Sequence, residues 1–431
     1  MKPLLAQKPL HYKFLNTVRI LLLLILFIKI SGFFTWSENV AITRVFKVFS
    51  RIMMTVAIFF VYRKIIDKGA VDSSAWSNVI SPLLYTGYLL LGFASFLWST
   101  NPGYSALQWV MDIESYVFAY YFIKCFLLLE EFFPNSGVHY HRILAQAILM
   151  IMLIFLVGVI VAPDVFYRMT HGGEEARLGG WMMNPNELGM ICVVGISCFI
   201  FDLYDKKQKF WTLFQILLLL IALILTSSRS SMIGFMLIVF FHVAQSKNPL
   251  LKVAIVTGAI LAVPVIVQTI FLKQGDLEEV MSMTGRLPFW TALLTEGLPR
   301  EPWLGFGFMR INYTETFQGV HTYAGHMTHN TFIQVLMNLG FIGFTLVMIQ
   351  FGFTIKGFLS TKEKRKKLML IGIFIPVVIN SFTEFGIFGE TNYGILFYQL
   401  MVFMISLSHN PLLTLREKVY LKKRRPELEL H

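Results

Sequence analysis

Long apolar stretches separated by short polar ones make up almost the whole chain, and that alternation leaves few folds open to it. A helix needs about 20 residues to cross a hydrocarbon core of ~30 Å. Inside a bilayer its backbone amides must also find their partners within the element itself. Twelve stretches have the required length and apolarity: 17–34, 46–62, 78–98, 106–128, 143–163, 186–203, 210–226, 231–246, 252–273, 329–353, 368–381 and 392–408. The eleventh is the shortest and the natural place for a break. Composition agrees, since 56% of the 431 residues are hydrophobic and 14% charged. The expected fold is an all-α integral membrane protein with about 12 transmembrane helices. The first stretch carries Lys29 and runs into Trp36-Ser-Glu-Asn39 without a small-residue cleavage pattern, so it reads as a retained span. No repeat at a 20–50-residue period is present.

The formal net charge of +12 is a topology signal, not a nucleic-acid footprint. Its cations fall in every second connection: Lys2, Lys8 and Lys13; Arg63, Lys64 and Lys68; Arg142; Lys206, Lys207 and Lys209; Lys247 and Lys252; Lys362 to Lys367; and Lys422-Lys-Arg-Arg425. The positive-inside rule puts all of these on the cytoplasmic side, with both termini inside. Cys125, Cys192 and Cys198 lie in apolar stretches, too few and too scattered for a disulfide framework or a zinc site.

The opposite face receives 35–43, 99–105, 165–185, 227–230, 274–328 and 382–391. The chain then divides into nine helices over 1–273, a cap at 274–328, three helices over 329–408 and a basic cytoplasmic tail at 409–431. The cap is far longer than an ordinary connection, and such loops are usually functional or disordered. Trp290, Trp303, its prolines and the turn Gly305-Phe-Gly307 suit a packed cap, with short helices expected at 276–280 and 287–294.

Charge beside hydrocarbon is expensive and marks functional sites by default. Arg229 lies within Thr226-Ser-Ser-Arg-Ser-Ser231, between the seventh and eighth stretches. An anchor snorkelling to lipid phosphate would have aromatic neighbours, whereas small hydroxyl residues suit the approach of a ligand. The planar fork of arginine suits a diphosphate. Arg286 reaches the same face from the cap, and Arg177 does so from 165–185. Asn184 and Asn186 stand at the mouth of the sixth stretch, as sugar-binding amides or as helix caps. His329 and Asn330 open the tenth stretch, with His326 one turn earlier. An i, i+3 histidine pair is half a metal site, but no Asp, Glu or Cys stands beside it and HExxH is absent. Histidine also suits a general base acting on a hydroxyl. Glu384 and Glu390, near the last outward loop, are open to two readings, as groups that orient a histidine or an arginine or as ordinary interfacial carboxylates.

Read together, Arg229 in its Ser-Arg-Ser setting, Arg286 with Trp290, Pro302-Trp-Leu-Gly-Phe-Gly307, His329-Asn330 and Asn338-Leu-Gly-Phe-Ile-Gly343 resemble the O-antigen ligase/polymerase family over roughly 220–345. Asn184-Pro-Asn186 and Trp98-Ser-Thr-Asn-Pro102 extend the likeness upstream. The resemblance implies a GT-C-like membrane glycosyltransferase of the bacterial inner membrane, working on its outer face without metal or other cofactor and with inversion at the anomeric carbon. Its donor would be a glycan on undecaprenyl diphosphate. Its acceptor would be a sugar hydroxyl of a growing glycan or of lipid A core. Carried over by motif, Arg229 and Arg286 would hold the diphosphate and His329 would deprotonate or orient the acceptor. Arg177, Asn184, Asn186, His326, Asn330, Arg310 and Glu384 would line the substrate site.

A polymerase, a ligase and a related enzyme of protein O-glycosylation need the same arginines and base, and the reading leans slightly to polymerase. A twelve-span transporter or flippase is the rival from another class. It predicts related six-span halves with polar breaks near the midplane of both, whereas here the polar residues gather at one face. The oligomeric state is open.

Overall fold

The computed structural model of the chain describes residues 8–70, 72, 74–134, 136–170, 175–203, 209–245, 249, 252–253, 257–258, 286–308, 328–384, 386–389 and 392–409. They are mostly helical. The helices are α1 Lys8–Ser31, α2 Val40–Asp67, α3 Ile80–Ala94, α4 Pro102–Phe132, α5 Tyr140–Val161, α6 Pro163–Phe166, α7 Pro185–Leu203, α8 Lys209–Leu225, α9 Arg229–Gln245, α10 Arg286–Ala292, α11 Thr331–Ser360, α12 Lys364–Thr383 and α13 Tyr393–Ser406. Two small two-stranded sheets qualify the all-α expectation. β1 (Ser74–Trp76) pairs antiparallel with β4 (Leu407–His409), and β2 (Tyr167–Thr170) pairs antiparallel with β3 (Glu175–Leu178).

Helices occupy eleven of the twelve expected stretches. The ninth, 252–273, lies outside the described residues apart from 252–253 and 257–258, as do 276–280 in the cap and the tail beyond 409. Among the described residues seven helices are long and apolar enough to cross a membrane: α1, α2, α3 continued through Leu97, α5, α7, α11 and α12. α8, α9 and α13 are apolar but shorter, and α4 carries Asp112, Glu114 and Lys124 within its length.

The helices that start at one end of the bundle share a device. Asn39, Asn101, Asn330 and Asn392 accept from first-turn amides of α2, α4, α11 and α13. Asn184 accepts from Asn186 N at 2.9 Å where α7 begins, and Ser228 from Ser231 N at 3.3 Å where α9 begins. Short oxygen-bearing side chains are the preferred caps because they satisfy amides that have no carbonyl within the helix. The expected break in the eleventh stretch is not there: α12 runs continuously through Pro376.

The break falls instead in α11, at Gly340 (φ 60°, ψ −163°), and the motif 302–307 is fitted into it. Phe341 N donates to Pro302 O (2.8 Å) and Ile342 N to Trp303 O (3.3 Å). Phe306 N and Gly307 N donate to Met337 O (3.0 Å) and Asn338 O (2.8 Å). The segment thus stands in for the helical bonds that the kink removes, as any interruption at membrane depth requires. Ser95–Pro102 closes around the same segment, through Trp98 Nε1 to Leu304 O (3.0 Å) and Thr100 N to Phe306 O (3.1 Å).

A second polar construction is buried among α1, α2, α3, α4 and α13. Glu114 pairs with Lys29 and, at 3.5 Å, with Arg51, and accepts from Thr55 at 3.0 Å. Arg51 also donates to Met111 O at 2.9 Å. Two residues before Glu114, Asp112 accepts from Tyr85 (3.0 Å) and Gln399 (2.5 Å). Lys29 and Asp112 are fully buried. Burying a charge without a partner costs several kcal/mol, so each ion here fixes the position of another helix.

Two substitutions test these constructions. A Cβ on Gly340 would lie 2.3 Å from Trp303 C, in a left-handed backbone, whereas one on Gly352 of the same helix meets nothing within 4 Å. Gly340→Ala should therefore cost at least about 2 kcal/mol. Gly352→Ala should stay within about 1 kcal/mol, on the stabilising side, both read from thermal unfolding in detergent. Glu114→Gln should cost roughly 3–5 kcal/mol by leaving two buried cations facing each other. Adding Lys29→Met to it should recover part of that loss.

Candidate active site

Glu384 follows the last residue of α12 and is nearly completely buried. An isolated carboxylate at such a position would be untenable, and three chain segments, at the starts of α7, α10 and α11, supply its partners. Asn186, at the start of α7, donates through Nδ2 to Oε1 at 2.9 Å. Arg286, at the start of α10, approaches Oε1 with Nη2 at 3.4 Å and donates through Nη1 to Thr383 O at 2.5 Å. His329, just before α11, holds Nδ1 2.6 Å from Oε2. From α11 itself the Thr331 hydroxyl reaches Glu384 O at 3.4 Å and accepts from Gly386 N at 2.8 Å. Burial pushes the Glu384 acid upward. The charges of His329 and Arg286, with hydrogen bonds from His329 and Asn186, outweigh it and bring the group down to about 2.

Arg177 extends the cluster. Its Nη2 donates to Asn186 Oδ1 at 2.8 Å, and its Nε to Thr226 O at 3.0 Å in the turn from α8 to α9. That turn bends through Ser227 (φ 49°) and delivers Arg229 as the first residue of α9, half-buried at the same end of the bundle. His329 has the same backbone sign, φ 49°. Left-handed conformations are uncommon for residues other than glycine and persist where the surroundings over-determine them. For His329 the surroundings are clear. Trp290 Nε1 donates to Thr328 O (2.6 Å) on one side, and Asn330 caps α11 on the other. α10 is held against this corner by Phe289 and Leu293, packed with Phe306 and Met337.

The residues expected from sequence fall into three groups. His329, Arg286, Glu384, Asn186 and Arg177 form one connected network, with Arg229 beginning the helix whose preceding turn Arg177 grips. Asn184 and Asn330 sit at the same end with their amide oxygens engaged in capping, so neither oxygen is directed at a ligand. His326, Arg310 and Glu390 lie outside the described residues.

The small residues around Arg229 need a different account from the one their size suggested. Thr226, Ser228, Ser230 and Ser231 are buried. Ser231 Oγ donates to Asn186 O at 3.1 Å, and a Cβ on Gly189 would lie 2.7 Å from it. Ser231 and Thr226 thus lie against α7 at Gly189. Thr331 and Thr328 were missed from sequence. The one available signal was the hydroxyl on either side of His329-Asn330.

The fold and site together define a polytopic helical membrane protein with a buried carboxylate that joins a histidine to an arginine at one end of its bundle. Residues 214–348 match the model of the O-antigen ligase family, which supports the O-antigen ligase/polymerase family for this chain. That segment contains Arg229, Arg286 and His329; Arg177, Asn186 and Glu384 lie on either side of it. No curated protein matches the chain.

Because the folded Glu384 acid lies below its ordinary 4.5, its contribution to stability is complete above about 4.5 and is lost as pH falls through about 2. The stability difference between wild type and Glu384→Gln should be full at pH 5 and shrink on further acidification. Denaturant unfolding at stepped pH reads it, and a difference that instead grew toward acid would contradict the ion-paired carboxylate.

Proposed function

We propose that the protein is a GT-C-like, twelve-span glycosyltransferase of the bacterial inner membrane, with both termini cytoplasmic and the Glu384 cluster on the outer face. It would move a glycan from an undecaprenyl-diphosphate carrier to an acceptor sugar hydroxyl, by inversion and without metal. The observation that carries this reading is the bond between His329 Nδ1 and the buried carboxylate of Glu384. It leaves the far ring nitrogen, Nε2, for a substrate proton.

In the proposed step the acceptor oxygen attacks the anomeric carbon while His329 Nε2 takes the hydroxyl proton. The bond between that carbon and the diphosphate oxygen breaks, and its electron pair departs on undecaprenyl diphosphate. Arg229 and Arg286 meet the charge that develops there, the role a divalent ion would otherwise fill. Arg286 Nε is buried and has no hydrogen-bond partner among the described residues, which supports a ligand contact. The six capped helix starts gathered at this end add a positive dipole field suited to an anion.

Within this reading a polymerase extends the glycan on its carrier, and a ligase delivers the finished chain to lipid A core. We retain a slight preference for the polymerase. The transporter reading has less support, since the cluster sits at helix ends and the buried Lys29, Arg51 and Glu114 are paired with one another.

Purified protein in EDTA, given an undecaprenyl-diphosphate glycan and an acceptor glycan, should release undecaprenyl diphosphate. His329→Ala, Arg229→Ala and Arg286→Ala should each lower turnover by about 100-fold or more, the scale of losing a general base or a charge-stabilising donor. A lengthening glycan ladder selects the polymerase, and a single transfer to lipid A core selects the ligase. Full activity of the His329 variant would end the general-base assignment.

A further inference from the structure

We infer that the end of the bundle opposite Glu384 carries a second ligand site, a cationic cavity that takes the headgroup phosphate of an anionic phospholipid. The cavity lies where α11 turns into α12 beside the start of α3, and its volume is about 520 Å³. Ligand sites usually fall between about 300 and 1,000 Å³. α12 fixes its depth. Glu384 follows the last residue of that helix and Glu363 precedes the first. The 20 residues between them span about 30 Å as helix, the thickness of a hydrocarbon core. In a chain that crosses a membrane, a Glu384 cluster at one surface therefore puts this cavity at the headgroup level of the other.

Four charged groups line the cavity: Lys356, Lys362 and Lys366 against the single carboxylate of Glu363. Among the described residues none of the three lysines makes a salt bridge. Elsewhere the bundle pairs its interior cations, Lys29 with Glu114, Lys124 with Asp72 and Arg142 with Asp202. Lys366 is half-buried, where an ammonium without an anion is costly to keep. The first turn of α12, Lys364-Arg365-Lys366-Lys367, also contains no acid. That is the reverse of what a helix dipole favours at its N-terminus. An anion in the cavity offsets both costs. Basic pockets between spanning helices at the cytoplasmic surface are suited to anionic headgroups for this reason.

The rest of the wall says what carries the anion. Ile80, Phe353 and Ile405 line the side away from the lysines, and Ile80 is 42% exposed. Acyl chains can continue along that apolar edge once the phosphate is seated. A free phosphate gains nothing from it, so the lining fits an amphiphile. The inference requires only that the chain spans a membrane and is independent of glycosyl transfer.

Purified full-length protein in a neutral detergent is titrated with dioctanoyl phosphatidylglycerol, with dioctanoyl phosphatidylcholine and with inorganic phosphate. Native mass spectrometry reads occupancy, and the rise in Tm reads binding to the folded state. Phosphatidylglycerol should bind at least about tenfold tighter than phosphatidylcholine. Each lysine removed should weaken it roughly fivefold, and Lys356→Gln/Lys362→Gln/Lys366→Gln on the order of 100-fold, the scale of basic residues facing anionic lipid. Lys13→Gln/Lys64→Gln/Lys68→Gln removes the same charge from exposed positions elsewhere on that end and should leave binding within about twofold. Lys362→Gln alone, an exposed position, gives the answer if the triple variant does not fold. Equal affinity for the two lipids, or equal weakening in the two triple variants, overturns the site. Inorganic phosphate that displaces phosphatidylglycerol at equal concentration overturns the lipid assignment.

Discussion

One buried negative charge organises the functional end of this protein. Glu384 sits where α12 stops, almost without solvent, and its ionised form survives because groups from the starts of α7, α10 and α11 converge on it. Each of those segments is otherwise joined to the bundle through its own local devices: an asparagine cap on α7, an aromatic anchor on α10 and a left-handed residue before α11. Remove the carboxylate and α7 loses its bond through Asn186 to the corner where α10 and α11 meet. Removing any one donor would instead strand part of the charge. A buried ionic network of this kind contributes little net stability but fixes geometry, which is what a site assembled from residues as much as 198 positions apart requires.

The break at Gly340 serves the same end by different means. A continuous α11 would offer no backbone groups for the cap to bind. With the ladder interrupted, four main-chain bonds fasten 302–307 to the helix, and α10 rides on that fastening through Phe306 and Met337. The position of Arg286 therefore depends on a glycine located elsewhere in the chain. The sequence motifs around 302–307 and 338–343 are two halves of one joint, which explains their residue types better than any direct role in chemistry. Gly305 and Gly340 admit a backbone-to-backbone approach that a Cβ would block at 2.5 Å and 2.3 Å.

Much of the architecture was legible because hydrophobic length and charge alternation are local properties of a sequence. The same is true of the caps, since Asn or Ser before an apolar run has one common use. Arg229, Arg286 and His329 were legible as charges in unusual places. What they touch was not, because the partners of Glu384 stand 55, 98 and 198 residues away. Lys29 could be seen in an apolar stretch, yet its partner Glu114 lies 85 residues on, in a helix whose own charges had drawn no comment. Small residues misled for a related reason. Space for a ligand and space for a neighbouring helix look identical in one dimension, and only the contact between Gly189 and Ser231 distinguishes them. The kink in α11 escaped notice because Asn338-Leu-Gly-Phe-Ile-Gly343 preserves the apolar pattern across the break.

The arrangement also explains why an asparagine is useful at 186. A carboxylate there would repel Glu384, and an arginine or lysine would neutralise it outright. An apolar residue would leave both Arg177 and Oε1 without a partner. An amide joins a cation to an anion while adding no charge of its own, and it transmits direction because its two ends differ. The two arginines of the network thus act on opposite sides of the same carboxylate, Arg286 directly and Arg177 through an oriented dipole. Arg286 touches the carboxylate itself, whereas Arg177 is engaged by Thr226 in the turn from α8 to α9 and by Asn186. Two arginines that look equivalent in sequence therefore reach Glu384 by different routes.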